Sequence, residues 1–341
     1  MKIKAQFLAW ILILPALNGC SYRTDSGGEV LTITDQLGRT VTVPRHMTRI
    51  SALHHFGGKI VFALGQQNKL VEQSIYGKEA QALKSVDPQF AAMPSTQEQS
   101  GHAINYESLI AFKPQCAFVY ASFDRAEMRQ LEDAGIRVIA VKGETIEESF
   151  AAVRLMAKVL ECEEKGDEYI ADCRRLLSLV RERVQPIPEY RRLRVAFAGP
   201  KSVYTIATGE MLQNQMLEIA GAVNVGLSLK GFWSDVSPEQ LAVWNPDVIF
   251  IGSSLASYGV QEVLGNSQFK TIRAVQQRKV YVFPSNIGWW DYPAPQCVLG
   301  VVWTAKTLYP ERFADQDMLQ IADEFYAKYM GHTFTSMGGK L

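Results

Sequence analysis

Apolar and polar residues alternate at the start of the folded region. Leu31-Thr-Ile-Thr34 and Thr40-Val-Thr-Val43 flank Asp35-Gln-Leu-Gly-Arg39, which predicts a hairpin closed by Pro44. Beyond it, short apolar runs alternate with helical patterns. Strands are predicted at Arg49–Leu53, Ala117–Tyr120 and Arg137–Val141, with helices near Lys59–Leu64 and Arg125–Ala134. A long helical stretch follows, from about Ile146 to Val184. In it Tyr169, Ile170, Cys173, Leu176, Leu177, Val180 and Val184 fall on one stripe of helical period, and Pro186 and Pro188 stop it. The rhythm then restarts with strands at Leu193–Ala198, Ser202–Ile206, Val248–Ile251 and Val280–Phe283. Helices are predicted near Leu212–Ala220, Pro295–Leu308 and Asp317–Met330. The architecture this predicts is α/β, two lobes with mainly parallel sheets joined by one long α-helix, with a ligand cleft between the lobes. The N-terminal lobe is placed at 31–145, the helical segment at 146–188 and the C-terminal lobe at 189–335.

An internal repeat supports two lobes built alike. Glu107-Ser-Leu-Ile-Ala-Phe-Lys-Pro-Gln-Cys-Ala-Phe118 aligns without gaps against Glu239-Gln-Leu-Ala-Val-Trp-Asn-Pro-Asp-Val-Ile-Phe250, with Glu, Leu, Pro and Phe coinciding. In each copy a short helix ends near Pro and feeds a strand.

Lys2 and Lys4 precede an apolar run, Phe7–Leu17, too short to span about 30 Å of hydrocarbon but suited to a signal-peptide core. The run leads into Leu17-Asn-Gly-Cys20, which is similar to the lipobox of bacterial lipoproteins. The expectation is a signal peptide at 1–19, lipidation at Cys20 and a polar tether over 20–30. An ordinary cleaved signal with an incidental Cys is the alternative, and either one exports the chain to the periplasmic face, or to the outer face of a single membrane.

The 341 residues carry Lys+Arg 35 against Asp+Glu 35, a formal net charge of zero. A general nucleic-acid binder needs a basic excess, so that class is disfavoured. Only the N-terminal stretch is apolar enough to enter a bilayer. There is no CxxC pair. Cys116 and Cys297 read as buried thiols. Cys162 and Cys173 would lie about 16 Å apart on one continuous helix, so they pair only if the chain bends, which Lys165-Gly166 permits.

Ligands of parallel α/β sheets sit beyond the carboxyl ends of the strands. His54, His55 and Phe56 follow the first predicted parallel strand; Ser122, Phe123, Asp124 and Arg125 follow Tyr120. In the second half, Thr208 to Met211, then Ser253, Ser254 and Tyr258, then Asn286, Trp289, Trp290, Asp291 and Tyr292 hold matching places. His102 and Trp233 stand just ahead of the two repeat copies, while His46 and His332 read as surface. A regular strand cannot aim neighbours into one pocket, so with His54 inward, His55 points elsewhere. GxxxxGK[ST], HExxH and GxGxxG motifs are absent. The His residues lack zinc-enzyme spacing, although a hydrolase built on His54, His102 and Asp291 is the enzymatic alternative. The expected class is a capture protein with no catalytic residues and no resident cofactor.

The chain resembles the periplasmic substrate-binding proteins of iron-siderophore, haem and cobalamin ABC transporters over about residues 30–330. The residues that carry the likeness are Ile33–Pro44 with Arg49–Leu53, Ala63-Leu-Gly65, the two repeat copies, Ala220-Gly-Ala-Val-Asn-Val225 and Trp303–Pro310. The resemblance implies a cleft between two lobes, with little opening because a helix joins them. It also implies one exposed Glu on each lobe gripping Arg residues of an ABC permease dimer, and Glu107 and Glu239 match those positions. A monomer is expected. The family leaves the ligand open. Tyr120, Phe123, Trp233, Trp289, Trp290 and Tyr292 offer aromatic walls and Arg125 a cation, which favours a ferric siderophore or related metal chelate. Haem or a corrinoid, with His54, His55 or His102 as axial ligand, comes second. A bare metal, for which His54, His55, His102 and Asp291 are candidates, and a molybdate-type oxyanion stand further off.

Overall fold

The structure is a computed structural model that describes residues 29–96, 104–199, 201–252 and 258–341. Cys20, the signal segment, His102, Ser253 and Ser254 lie outside the described residues.

The opening hairpin pairs β1 (Val30–Thr34) with β2 (Thr40–Pro44), antiparallel, with Ile33 opposite Val41. Ile33 and Val43 turn inward and Thr32 and Thr42 outward, as alternation requires. Asp35 organises the turn. Its Oδ1 accepts the Leu37 and Arg39 N–H groups, and its Oδ2 accepts the Arg39 side chain at 2.8 Å and the Ala140 N–H at 3.1 Å. The hairpin is thereby fixed to the first lobe.

That lobe runs β3 (Ile50–Ala52), α1 (His55–Ala63), α2 (Gly77–Val86), α3 (Pro88–Ala92), α4 (Tyr106–Ala111), β4 (Cys116–Tyr120), α5 (Arg125–Asp133) and β5 (Arg137–Val141). The three inner strands form a parallel sheet in the order β3-β4-β5. Cys116 through Val119 are all buried, because helices cover both faces, so the strand reads as an unbroken apolar run rather than an alternating one.

The predicted long helix is two: α6 (Ile146–Val159) and α7 (Glu163–Val184). The chain turns at Leu160–Cys162, where Glu161 adopts φ +57°, a few residues ahead of the anticipated Lys165-Gly166. Gly166 has a different role. A Cβ there would lie 2.7 Å from the Ala157 Cβ, so only glycine lets the two helices approach. The 22 residues of α7 span about 33 Å and bury the predicted stripe except Leu176, which is half-buried. Cys162 caps α7 and Cys173 lies within it, so the bend does not bring them together; both are free thiols, as are Cys116 and Cys297.

The second lobe contains β6 (Arg194–Ala198), β7 (Thr205–Ile206), α8 (Leu212–Ile219), β8 (Val223–Asn224), β9 (Ser234–Asp235), α9 (Pro238–Trp244), β10 (Val248–Ile251), α10 (Val260–Gly265), α11 (Arg273–Gln276) and β11 (Val280–Val282). Its sheet runs β11-β10-β6-β7-β9, with β8 also pairing β6. Strands β6, β8, β10 and β11 are parallel, whereas β7 and β9 enter antiparallel. The predicted strand at Ser202–Ile206 shrinks to its last two residues.

The repeat is structural. In both copies a short helix leads into a central strand: α4 into β4, and α9 into β10. Asn105 and Ser237 cap the two helices at the same place, accepting the Ser108 N–H at 2.9 Å and the Gln240 N–H at 3.1 Å.

Two helices close the fold. Helix α12 (Cys297–Leu308) packs on α7 and α8. Helix α13 (Met318–Met330) crosses back onto α1 of the first lobe and bonds α7 through Tyr329 Oη to Asp172 at 2.6 Å. A buried polar contact also spans the lobes. Lys59 of α1 pairs with Glu79 of α2 at 2.6 Å, and Gln296, at the start of α12, donates to Glu79 at 3.0 Å.

Candidate ligand-binding cleft

A cavity of about 160 Å³ lies between the lobes. The first lobe contributes His54, His55, Tyr120 and Glu144; the second contributes Met211, Leu212, Gln213, Phe232, Trp233, Tyr292 and Pro293. The walls are therefore the carboxyl end of β4, the turn after β5 and the first turns of α1 and α8.

His54 is the N-cap of α1. Its backbone is extended (φ −142°, ψ 140°), and its Nδ1 accepts the Phe56 N–H at 3.2 Å. His55 already belongs to the helix. The chain changes direction between them, so both rings line the cavity, 4.0 Å apart, and the expectation that His55 points elsewhere is corrected. The strand rule failed because the strand ends at Ala52. Burial, with the Lys59 charge adding to it, lowers His54 to about 4. Burial, then His54 and Lys59, holds His55 well below its ordinary value. Both are neutral at pH 7. Since His54 Nδ1 accepts, its proton sits on Nε2, and the free side of the ring is a donor rather than a metal-binding lone pair.

The depressed His54 value has a consequence for stability. The unfolded state takes up a proton near 6.5 and the folded state only near 4, so stability falls as pH drops through that window, by about 3 kcal/mol from this group. Glu72 runs the other way. Burial raises its carboxyl to about 7 despite hydrogen bonds from Ser51 and Thr96, so its contribution is lost as pH rises through 7. His54→Asn keeps a capping side chain but cannot titrate. Urea unfolding between pH 7 and 4 should therefore give a shallower acid loss than the parent protein. An identical slope would place the acid sensitivity elsewhere.

Tyr120 stacks beside His54, with ring centroids 4.5 Å apart, and donates its hydroxyl to Glu144 Oε1 at 2.5 Å. Trp233 lies flat over Gly199, where a Cβ would sit 2.5 Å from the ring. Trp289 stands just behind the lining, edge-on to His55 and 5.0 Å from Tyr292. The α8 N-terminus has no side-chain cap, and Met211, Leu212 and Gln213 present that end to the cavity.

Other predicted residues fall outside. Trp290 is 0% exposed and packs on Phe334 in the core, away from the cavity. Asp291 is buried behind the wall, where its backbone carbonyl accepts the Gln213 side chain at 2.7 Å. Phe123 packs against the α5 side of the first lobe, and Arg125 is exposed at the start of α5. Tyr258 donates to the Gly199 carbonyl at 2.8 Å. Glu107 and Glu239 are both exposed, each the second residue of its helix. Backbone and Ser237 hydrogen bonds hold the Glu239 carboxyl below its usual value. Among the described residues, no three His, Cys, Asp or Glu side chains gather as a metal site. Glu144 and Gln213 were missed; Glu144 follows a correctly placed strand, β5, whose end the strand-end rule was not applied to.

The geometry defines a two-lobed solute receptor. Residues 50–287 match the family described as periplasmic binding protein, and the chain belongs to that family, as a substrate-binding protein of an ABC transporter. It is 29% identical to the molybdate-binding protein MolA of Haemophilus influenzae, over 96% of this chain and 97% of that one. The molybdate-bound MolA structure superposes with a TM-score of 0.73, covering 89% of this chain and 98% of that one. A Fe(3+)-citrate-binding protein of Bacillus subtilis is 22% identical, over 80% of this chain and 86% of that one. A periplasmic solute-binding protein of Veillonella parvula, 21% identical, shares the fold at a TM-score of 0.75, with 89% and 94% coverage. Such relatives are solute receptors rather than enzymes, and the family implies a permease partner and a small-molecule ligand.

Proposed function

We propose that this receptor captures a small oxyanion of the molybdate type, rather than the siderophore the aromatic residues had suggested. The observation that carries this reading is the cavity's size and chemistry together. About 160 Å³ suits a tetrahedral oxyanion. Drug-sized ligands fill roughly 300–1,000 Å³, and a corrinoid or haem needs more than this cavity offers. The His54 Nε2–H is a donor for an oxygen ligand, and the first turns of α1 and α8 add the positive ends of two helices. The likeness to MolA supports the same class. A second reading, a ferric chelate, draws on the aromatic rim, where Phe232 is 67% exposed beside Trp233 and Tyr292.

Titration calorimetry on the fragment from Ser21 onward separates them. Molybdate and tungstate should bind saturably and quench Trp233 and Trp289 fluorescence. Saturable binding of ferric citrate, haem or cobalamin without any of molybdate would overturn the oxyanion reading.

Glu107 and Glu239 are proposed as the paired docking points for the permease, and Cys20 as the lipid attachment. Each glutamate is exposed in the first turn of the short helix that leads into the central strand of its lobe. Glu107→Ala with Glu239→Ala should leave ligand affinity unchanged and abolish uptake; surviving uptake would sink the docking role.

A further inference from the structure

We propose that the cleft binds its oxyanion together with a proton, and that Glu144 is the acceptor that selects a proton-holding oxyanion over sulfate. This rests on the oxyanion reading and deepens it.

The cavity contains more acceptor than an anion site should. Glu144 lines it, and the Tyr120 hydroxyl donates to Glu144 at 2.5 Å. Gln213 is 3% exposed and lines the opposite wall. Its Nε2 donates to the Asp291 carbonyl at 2.7 Å, which fixes the amide's orientation and leaves Oε1 buried with no hydrogen-bond partner. Oε1 is sealed within the wall, so Glu144 is the acceptor left to face the cargo. Among the described residues, no Lys or Arg lines the cavity to offset Glu144, and the nearby Lys59 ammonium is engaged by Glu79.

The groups around Glu144 come from every wall. His54 and His55 stand on α1, Tyr120 ends β4, and Tyr292 approaches from the segment before α12. Beyond Tyr120, Glu148 is paired with Lys142. None of these is a free cation that could neutralise Glu144. A fully ionised dianion would bring oxygen lone pairs against a carboxylate. One proton from solvent, shared between Glu144 and an oxyanion oxygen, turns that repulsion into a charge-assisted hydrogen bond. Molybdate and tungstate are stronger bases than sulfate and hold that proton more readily. The cleft would thus reject the abundant sulfate by basicity, not by size alone.

The test is calorimetry of the soluble protein with molybdate and with sulfate, at pH 7, in buffers of different ionisation enthalpy, which counts protons taken up. The parent protein should take up at least about one proton per molybdate and bind sulfate about a hundredfold more weakly. Glu144→Gln retains an acceptor for the Tyr120 hydroxyl but loses the charge. Proton uptake should fall by about one, and sulfate should gain roughly tenfold relative to molybdate. Molybdate binding with no proton uptake, or a folded Glu144→Gln protein with unchanged uptake and unchanged selectivity, overturns this inference and leaves the oxyanion reading standing. A parent protein that binds neither molybdate nor tungstate overturns the oxyanion reading itself.

Discussion

Trp290→Ala should cost about 3–5 kcal/mol of folding stability and lower the melting temperature by roughly 10 °C, while molybdate affinity at moderate temperature changes little. The indole is completely buried, stacks on Phe334 with ring centroids 5.3 Å apart, and donates Nε1–H to Tyr326 Oη at 3.2 Å. Truncation therefore leaves a large cavity and also strips the buried Tyr326 hydroxyl of a donor. Trp233→Ala is the contrasting variant. That ring is half-buried and forms the cleft wall, so its loss should weaken binding more than folding. Denaturant unfolding and ligand titration on both proteins decide the matter. A Trp290→Ala protein that melts normally but binds poorly would return this tryptophan to the cleft.

The second large effect is expected at Lys59. Its ammonium and the Glu79 carboxylate are 3% and 6% exposed, 2.6 Å apart. Lys59→Met leaves a buried carboxylate with Gln296 as its remaining side-chain donor, and a broken buried pair costs about 3–5 kcal/mol. Lys59→Met with Glu79→Met should recover most of that loss, because the pair's attraction only partly exceeds its desolvation. Removing the Lys59 charge should also raise both cleft histidines toward their ordinary values, since it is one of the causes that lowers them. Unfolding free energies for the two single variants and the double variant close the cycle. A single variant as stable as the parent would mean that the pair contributes nothing.

The lobes, the repeat and most strands were legible because apolar runs bounded by turn residues constrain a parallel sheet tightly. Arg137–Val141 and Val248–Ile251 begin and end where their patterns do. His54 and Tyr292, which follow strand ends, line one cavity with Tyr120 at the end of its strand and Trp233 ahead of the second repeat copy. What composition could not resolve was direction. Trp289 and Trp290 are adjacent and chemically identical, yet one stands behind the lining and the other is sealed beneath Phe334. The side a tryptophan faces depends on partners distant in the chain, here Tyr326 and Phe334. Arg125 failed for a local reason. It opens α5, where Asp124 supplies the cap, and the helix carries it out to solvent. Gln213 carries no periodic signature in the first turn of its helix, whereas Glu144 lies just past the end of β5, where a strand-end signal exists.

The path of the last helix has a temporal consequence. Helix α1 packs on β3, β4 and α6 and also against α13, so one side of the first helix stays uncovered until the last helix has emerged. A nascent chain ending before Met318 would lack part of a core cluster that runs from Ile33 to Met337 and includes Phe62 and Phe90. The two lobes therefore share a core that is whole only once α13 and the residues that follow it are in place.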